Sequence, residues 1–92
     1  MSEPPSPPPL VVYPGEYAFK VMGKLEHGFH AHVRALFSRL LELELPAEAV
    51  VENVSKQGRY VSLTVTVVLA SEAQRQAIYA HLHQDRRVLY YL

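Results

Sequence analysis

Large apolar residues recur along the chain with two different periods, and each change of period marks an element. Over 17–22, Tyr17, Phe19 and Val21 point one way and Ala18, Lys20 and Met22 the other. Period two with aromatic and β-branched content predicts a half-buried strand. Gly23 ends it, where the chain turns without a Cβ penalty. Over 27–43 the period becomes helical: Phe29, Val33, Leu36, Phe37 and Leu40 form one apolar stripe, with Glu26, His30, Arg34 and Ser38 on another face. Pro46 follows, and a helix does not run through it without cost. A second strand is predicted over 50–55, where Val50 and Val54 share a parity with Glu52 while Val51 has the other. Either face fits the core there, and so does a bulge.

Lys56-Gln57-Gly58-Arg59 reads as a hairpin loop, with Gly58 supplying any positive φ. Residues 60–69 alternate most regularly: Val61, Leu63, Val65, Val67 and Leu69 against Tyr60, Ser62, Thr64, Thr66 and Val68. One apolar and one mildly polar face predict an antiparallel sheet covered on one side. Ser71-x-x-Gln74 matches a capping box and opens a second helix with Ile78 and Leu82 on its stripe and Ala77 and Tyr79 flanking. Asp85-Arg86-Arg87 makes a turn, and Val88–Leu92 a short terminal strand. The order βαββαβ predicts an α+β ferredoxin-like sandwich: a four-stranded antiparallel sheet with both helices on one face.

Ahead of this domain, assigned to 15–92, six of the seven prolines fall within residues 1–14. Proline fixes φ and lacks an amide donor, so this stretch reads as a disordered, polyproline-biased tail. Nine Lys+Arg balance nine Asp+Glu, which argues against a protein that holds nucleic acid or anionic lipid by bulk charge. With no Cys there is no disulfide scaffold, thiolate metal site or Cys nucleophile. No apolar run approaches a bilayer span and no signal-peptide pattern opens the chain, so the expectation is a cytoplasmic protein without membrane contact.

Chemistry-bearing residues are sparse. His27 and His30 have the i, i+3 spacing of a helical metal pair, but His30 and His32, or His81 and His83, do not face each other and no carboxylate or Cys completes a set. The five histidines therefore read as surface groups and no metal site is expected. No nucleophile elbow or phosphate loop occurs, so no enzyme activity, catalytic residue or cofactor is predicted.

Three segments carry a family resemblance: Lys20-Val21-Met22-Gly23, then Ser55-x-x-Gly58-x-Tyr60-x-Ser62-x-Thr64-Val65-Thr66, then Ile78-Tyr79-x-x-Leu82. Over roughly 13–92 the chain resembles the YbeD-like family of uncharacterised bacterial proteins. The resemblance implies a ferredoxin-like fold similar to the ACT domain, a regulatory module that often binds amino acids at oligomer interfaces. It carries over no catalytic residues, and some relatives are encoded near lipoate-attachment genes. The chain departs from the pattern at Arg75 and Glu52, where apolar residues are expected, and in its longer Pro-rich tail.

The expectation is thus a non-enzymatic regulatory or adaptor protein acting through protein contact, as a homo-oligomer or with a protein partner. Met22, Val68, Leu89 and Tyr91 are expected to add apolar area to the uncovered sheet face, and the uncharged terminal strand to form an open edge. The N-terminal stretch folding back over that face is the competing explanation. A small metabolite would bind where strand one enters helix one, near Met22, Gly23 and Lys24, and Lys20, Tyr60, Leu89 and Tyr91 complete the expected set of ligand or partner contacts. The alternative is a weak RNA-binding module using Lys20, Lys56, Arg59 and Tyr60. It lacks the aromatic platform on which such sheets stack bases.

Overall fold

The computed structural model describes residues 11–92, so most of the stretch read as a tail lies outside the described residues. The elements are β1 (Gly15–Lys24), α1 (Phe29–Leu41), a single 3-10 turn (Ala47–Ala49), β2 (Val50–Val54), β3 (Tyr60–Leu69), α2 (Glu72–Gln84) and β4 (Val88–Tyr91). The sheet runs β2-β3-β1-β4, with each neighbouring pair antiparallel. This is the βαββαβ order and ferredoxin-like arrangement expected from the pattern.

Both helices press on one face. Phe19 and Val21 of β1 and Val61, Leu63, Val65, Val67 and Leu69 of β3 form one buried cluster with Phe29, Val33, Leu36, Phe37 and Leu41 of α1 and Ile78 and Leu82 of α2. A fully buried side chain of this size contributes roughly 1.5–3 kcal/mol, so the stripe on α1 is sufficient reason for it to dock. The stripe closes on Leu41 and Leu45 rather than on Leu40, which is only half-buried. The helix stops because Glu42 turns left-handed (φ 55°) and the Glu42 amide donates to the Ser38 carbonyl. The following turn then sends Leu45 back into the core, where the Ser38 hydroxyl accepts its amide at 3.4 Å.

At α2 the expected cap forms: the Gln74 amide donates to Ser71 Oγ at 3.2 Å. The reciprocal bond is displaced by one residue, with the Gln74 side chain taking the Ala70 amide at 2.7 Å. Gly58 adopts φ 71° in the hairpin, as its position required. The open question at β2 is resolved by register. Val50, Glu52 and Val54 lie opposite Val65, Leu63 and Val61 on the helix side, and Val51 and Asn53 lie opposite Thr64 and Ser62 on the free side. Only Val50 is buried. Glu52 departs from the expected apolar residue because it lies at the rim, where its carboxylate is 3.2 Å from His30 Nδ1 of α1.

Two expectations are corrected. Gly23 does not end the first strand. It is buried within β1, and a Cβ there would stand 2.4 Å from Phe29 Cζ and 2.7 Å from the Arg87 carbonyl oxygen. Tyr91 does not face the open side. The β1–β4 register slips between Met22 and Gly23, pairing Val21 with Tyr91, Met22 with Tyr90 and Gly23 with Val88. The inserted residue breaks the alternation, so Tyr91 turns towards the helices, with its ring centroid 5.7 Å from that of Tyr79. Tyr90 and Leu92 take the free side instead, Leu92 through paired backbone bonds with Lys20.

Candidate functional site

The uncovered sheet face is built from the even-numbered positions of the two central strands. Glu16, Ala18, Lys20, Met22 and Lys24 of β1 lie opposite Val68, Thr66, Thr64, Ser62 and Tyr60 of β3. Val51 and Asn53 flank β3, while Tyr90 and Leu92 flank β1. Five large apolar side chains on this face are at least half exposed: Val51, Tyr60, Val68, Tyr90 and Leu92. They are interleaved with Lys20, Ser62, Thr64 and Thr66 across a face that no helix covers.

Relief on this face is concentrated at the Tyr60 end. Three shallow depressions of about 220, 300 and 260 Å³ all have Tyr60 in their walls. The first is lined by Met22, Asn53, Ser55, Val61 and Ser62. The Ser62 hydroxyl in its wall is buried without a hydrogen-bond partner. Such a group normally finds one, and a polar atom of a bound molecule would supply it. The Ser55 hydroxyl is already used, accepting the Tyr60 amide at 3.1 Å to hold the hairpin.

Lys24 lies beside Tyr60, and the Leu25 amide donates to the Arg59 carbonyl, so Lys24, Lys56 and Arg59 gather at one end of the domain. Because α1 starts against Gly23 and runs back along the sheet, Glu42, Glu44 and Glu48 lie towards the other end. None of these six groups forms an ion pair among the described residues. Arg34 and Arg39 of α1 also lie towards that second end, and Glu26 lies beside Lys24 and Arg59, so each end carries both signs.

Of the sequence-derived candidates, Lys20, Met22, Lys24 and Tyr60 do come together on the free face. Gly23 is beneath Phe29 and is structural, Leu89 is exposed at the β4 edge, and Tyr91 is on the helix side. The histidines near α1 serve contacts between elements: His32 Nε2 is 2.6 Å from Asp85 Oδ2 at the end of α2, and His30 meets Glu52.

Sequence reasoning missed a second cluster on the helix side. Arg75 stacks over the Tyr17 and Tyr79 rings, 5.2 Å from each centroid, and forms an ion pair with Glu72 at 2.8 Å. The Tyr17 and Tyr79 hydroxyls are 2.8 Å apart, and Tyr13 donates its hydroxyl proton to Glu72. The shared bond with Tyr79 holds the Tyr17 phenol below the ordinary tyrosine range, while burial, then that bond, pushes Tyr79 up to about 12. The missing signal was the i, i+4 spacing of Arg75 and Tyr79 on one face of α2, above a strand tyrosine. The cationic side chain thus replaces the expected apolar one by packing its guanidinium against two rings.

Residues 8–92 match the model of a family described as "Protein of unknown function (DUF493)". A "UPF0250 protein" of Leptothrix cholodnii is 35% identical over 79 residues, covering 79% of each chain. "UPF0250 protein PSPA7_1111" of Pseudomonas paraeruginosa is 34% identical over 82 residues, 88% of this chain and 87% of that one. "UPF0250 protein NE1487" of Nitrosomonas europaea is 29% identical over 79 residues, 86% and 90% of the two chains. The solution structure of protein HP0495 from H. pylori superposes with a TM-score of 0.63 at 20% identity over 100% of this chain and 97% of the other. That likeness is one of fold.

Proposed function

This chain belongs to the DUF493 family of uncharacterised bacterial proteins, the YbeD-like family its motifs resemble, and we propose that it is a regulatory or adaptor module that works by protein contact through its uncovered sheet face. One observation carries the reading. Opposite the packed helices, the free face presents Val51, Tyr60, Val68, Tyr90 and Leu92 to solvent, with no element laid over them among the described residues. Removing such a platform from water is favourable at roughly 25 cal/mol per Å² of apolar area.

The orphan Ser62 hydroxyl, with Met22 and Tyr60 beside it, supports a small metabolite as a second occupant of this end. A ligand there would alter partner binding only through different affinities for the free and bound states. Amino acids, nucleotides and lipoate-like acids are the compounds to screen by thermal shift, the last because of the resemblance to relatives encoded near lipoate-attachment genes.

The test is site-specific photo-cross-linking in the producing cell. A benzophenone side chain at Val68 or Val51 should give discrete protein adducts, and one at Ala73 on the outer face of α2 should give none. Equal labelling at all three sites, or none at the sheet sites, refutes the reading. Adducts that contain RNA, with binding that falls steeply as salt rises, would favour the Lys20, Lys56, Arg59 and Tyr60 alternative.

A further inference from the structure

We infer that the occupant of the free sheet face is a second copy of the same chain, packed antiparallel about a two-fold axis through the Lys20–Thr64 row; this rests on the contact reading above. The register carries the inference. A two-fold axis lying between two stacked sheets, perpendicular to the strands, reverses strand direction while keeping strand order, and makes one patch self-complementary. With the axis at the row of Lys20 and Thr64, the rows above it fall on the rows below it.

The pairing that results is specific. On β1, Glu16 of one copy faces Lys24 of the second copy, and small Ala18 faces long Met22 of the second copy. On β3, Val68 faces Tyr60 and Thr66 faces Ser62 of the second copy. On the flanks, Val51 and Leu92 each meet their own counterparts, apolar on apolar. Glu16 is the only carboxylate on this face among the described residues, and Glu16, Lys20 and Lys24 form no ion pairs within the chain. A second copy supplies partners of opposite charge for Glu16 and Lys24.

Area sets the strength. Two ten-residue strands flanked by two of about half that length offer roughly 500 Å² of platform per copy, or about 1,000 Å² per pair. That is the lower bound for a specific association, so a weak dimer is expected, micromolar rather than nanomolar. One contact opposes it: Lys20 falls on Lys20 at the axis. Each ammonium can swing towards Glu16 of the second copy, but the like charges still cost affinity. This gives the proposal an unusual sign to test.

Sedimentation velocity on the full-length chain, at low and moderate salt, reads it out. The expected result is a reversible micromolar dimer. Glu16→Lys and Lys24→Glu should each weaken it about tenfold or more, and the double variant should return within a few-fold of the original. Lys20→Thr should tighten it several-fold. Circular dichroism of each exposed-site variant controls for folding, and recovery in the double variant has no explanation in misfolding. A chain monomeric at about 1 mM, or a dimer indifferent to all three charges, overturns the inference. A monomer that still gives foreign-protein adducts at Val68 would sink the second copy alone and leave the contact reading standing.

Discussion

Gly23 and Phe29 occupy one another's space: the Phe29 ring lies where a Gly23 side chain would be, and Gly23 is glycine because α1 begins with that ring on the sheet. Gly23→Ala wedges a methyl group between the Phe29 ring and the Arg87 carbonyl oxygen. Overpacking of this kind costs about 1–3 kcal/mol, so Tm should fall by roughly 5–15 °C for a domain of this size. Thermal melts check it, and Gly23→Ala combined with Phe29→Leu should recover part of the loss. A neutral Gly23→Ala would mean that Phe29 does not seat there.

Phe37 is fully buried and its ring centroid is 5.3 Å from that of Phe19. Phe37→Ala should destabilise by about 3–5 kcal/mol, measured by urea unfolding with an unchanged m-value. It reports on the docking of α1 and should leave the affinity of the free face unaltered wherever the chain remains folded.

Glu42 is the one described non-glycine residue with positive φ, and it ends α1. A side chain in that conformation is strained by roughly 1–2 kcal/mol, and a carboxylate at a helix C-terminus meets the wrong end of the dipole. Glu42→Gly should therefore stabilise the fold, by about 0.5–1 kcal/mol once the extra backbone entropy of glycine is counted. Equilibrium denaturation should show the gain. A loss would mean that Glu42 makes a compensating contact.

Arg75 holds two rings and a carboxylate at once. Lysine lacks the broad guanidinium that touches both rings and the carboxylate together, so Arg75→Lys should cost about 1 kcal/mol. Arg75→Met, which keeps an apolar stem, should cost less than Arg75→Ala. Urea titrations that rank the three otherwise would remove stacking as the reason for the arginine.

The tyrosine pair gives an alkaline signature. Tyr79, held at about 12, keeps its proton where an unfolded tyrosine, near ~10, releases it. Its stabilising contribution is whole below pH ~10 and is lost as pH rises towards about 12. Tyr17 runs the opposite way, since its lowered pKa adds stability above pH ~10. Absorbance titration near 295 nm should show two phenols ionising late, Tyr13 and Tyr79, and Tyr79→Phe should remove one of them. A late step of unchanged amplitude would assign it to other tyrosines.

Both helices and all four strands were legible because period and parity are properties of sequence spacing, and Phe19, Val33, Leu63 and Ile78 follow them without exception. Tyr91 was misplaced for a physical reason: one inserted residue in β4 inverts parity, and no alternation rule counts through a bulge. Gly23 was read as a turn because a glycine required by a neighbouring ring has the same letter as one required by φ. On the free face, Lys20, Met22, Lys24 and Tyr60 were identified together, but Arg75 was not understood, because its two rings come from α2 and from a strand more than fifty positions away.

The unpaired Lys24, Lys56 and Arg59 and the unpaired Glu42, Glu44 and Glu48 have a consequence for handling the protein. A molecule with pI ≈ 7.0 and no net charge has nothing to keep copies apart at neutral pH, while its unpaired charges of opposite sign attract between molecules. Added sodium chloride weakens that attraction once the Debye length falls to about 10 Å or below. Solubility should accordingly rise with modest salt before it falls, and dialysis into pure water at pH 7 should bring the protein out of solution.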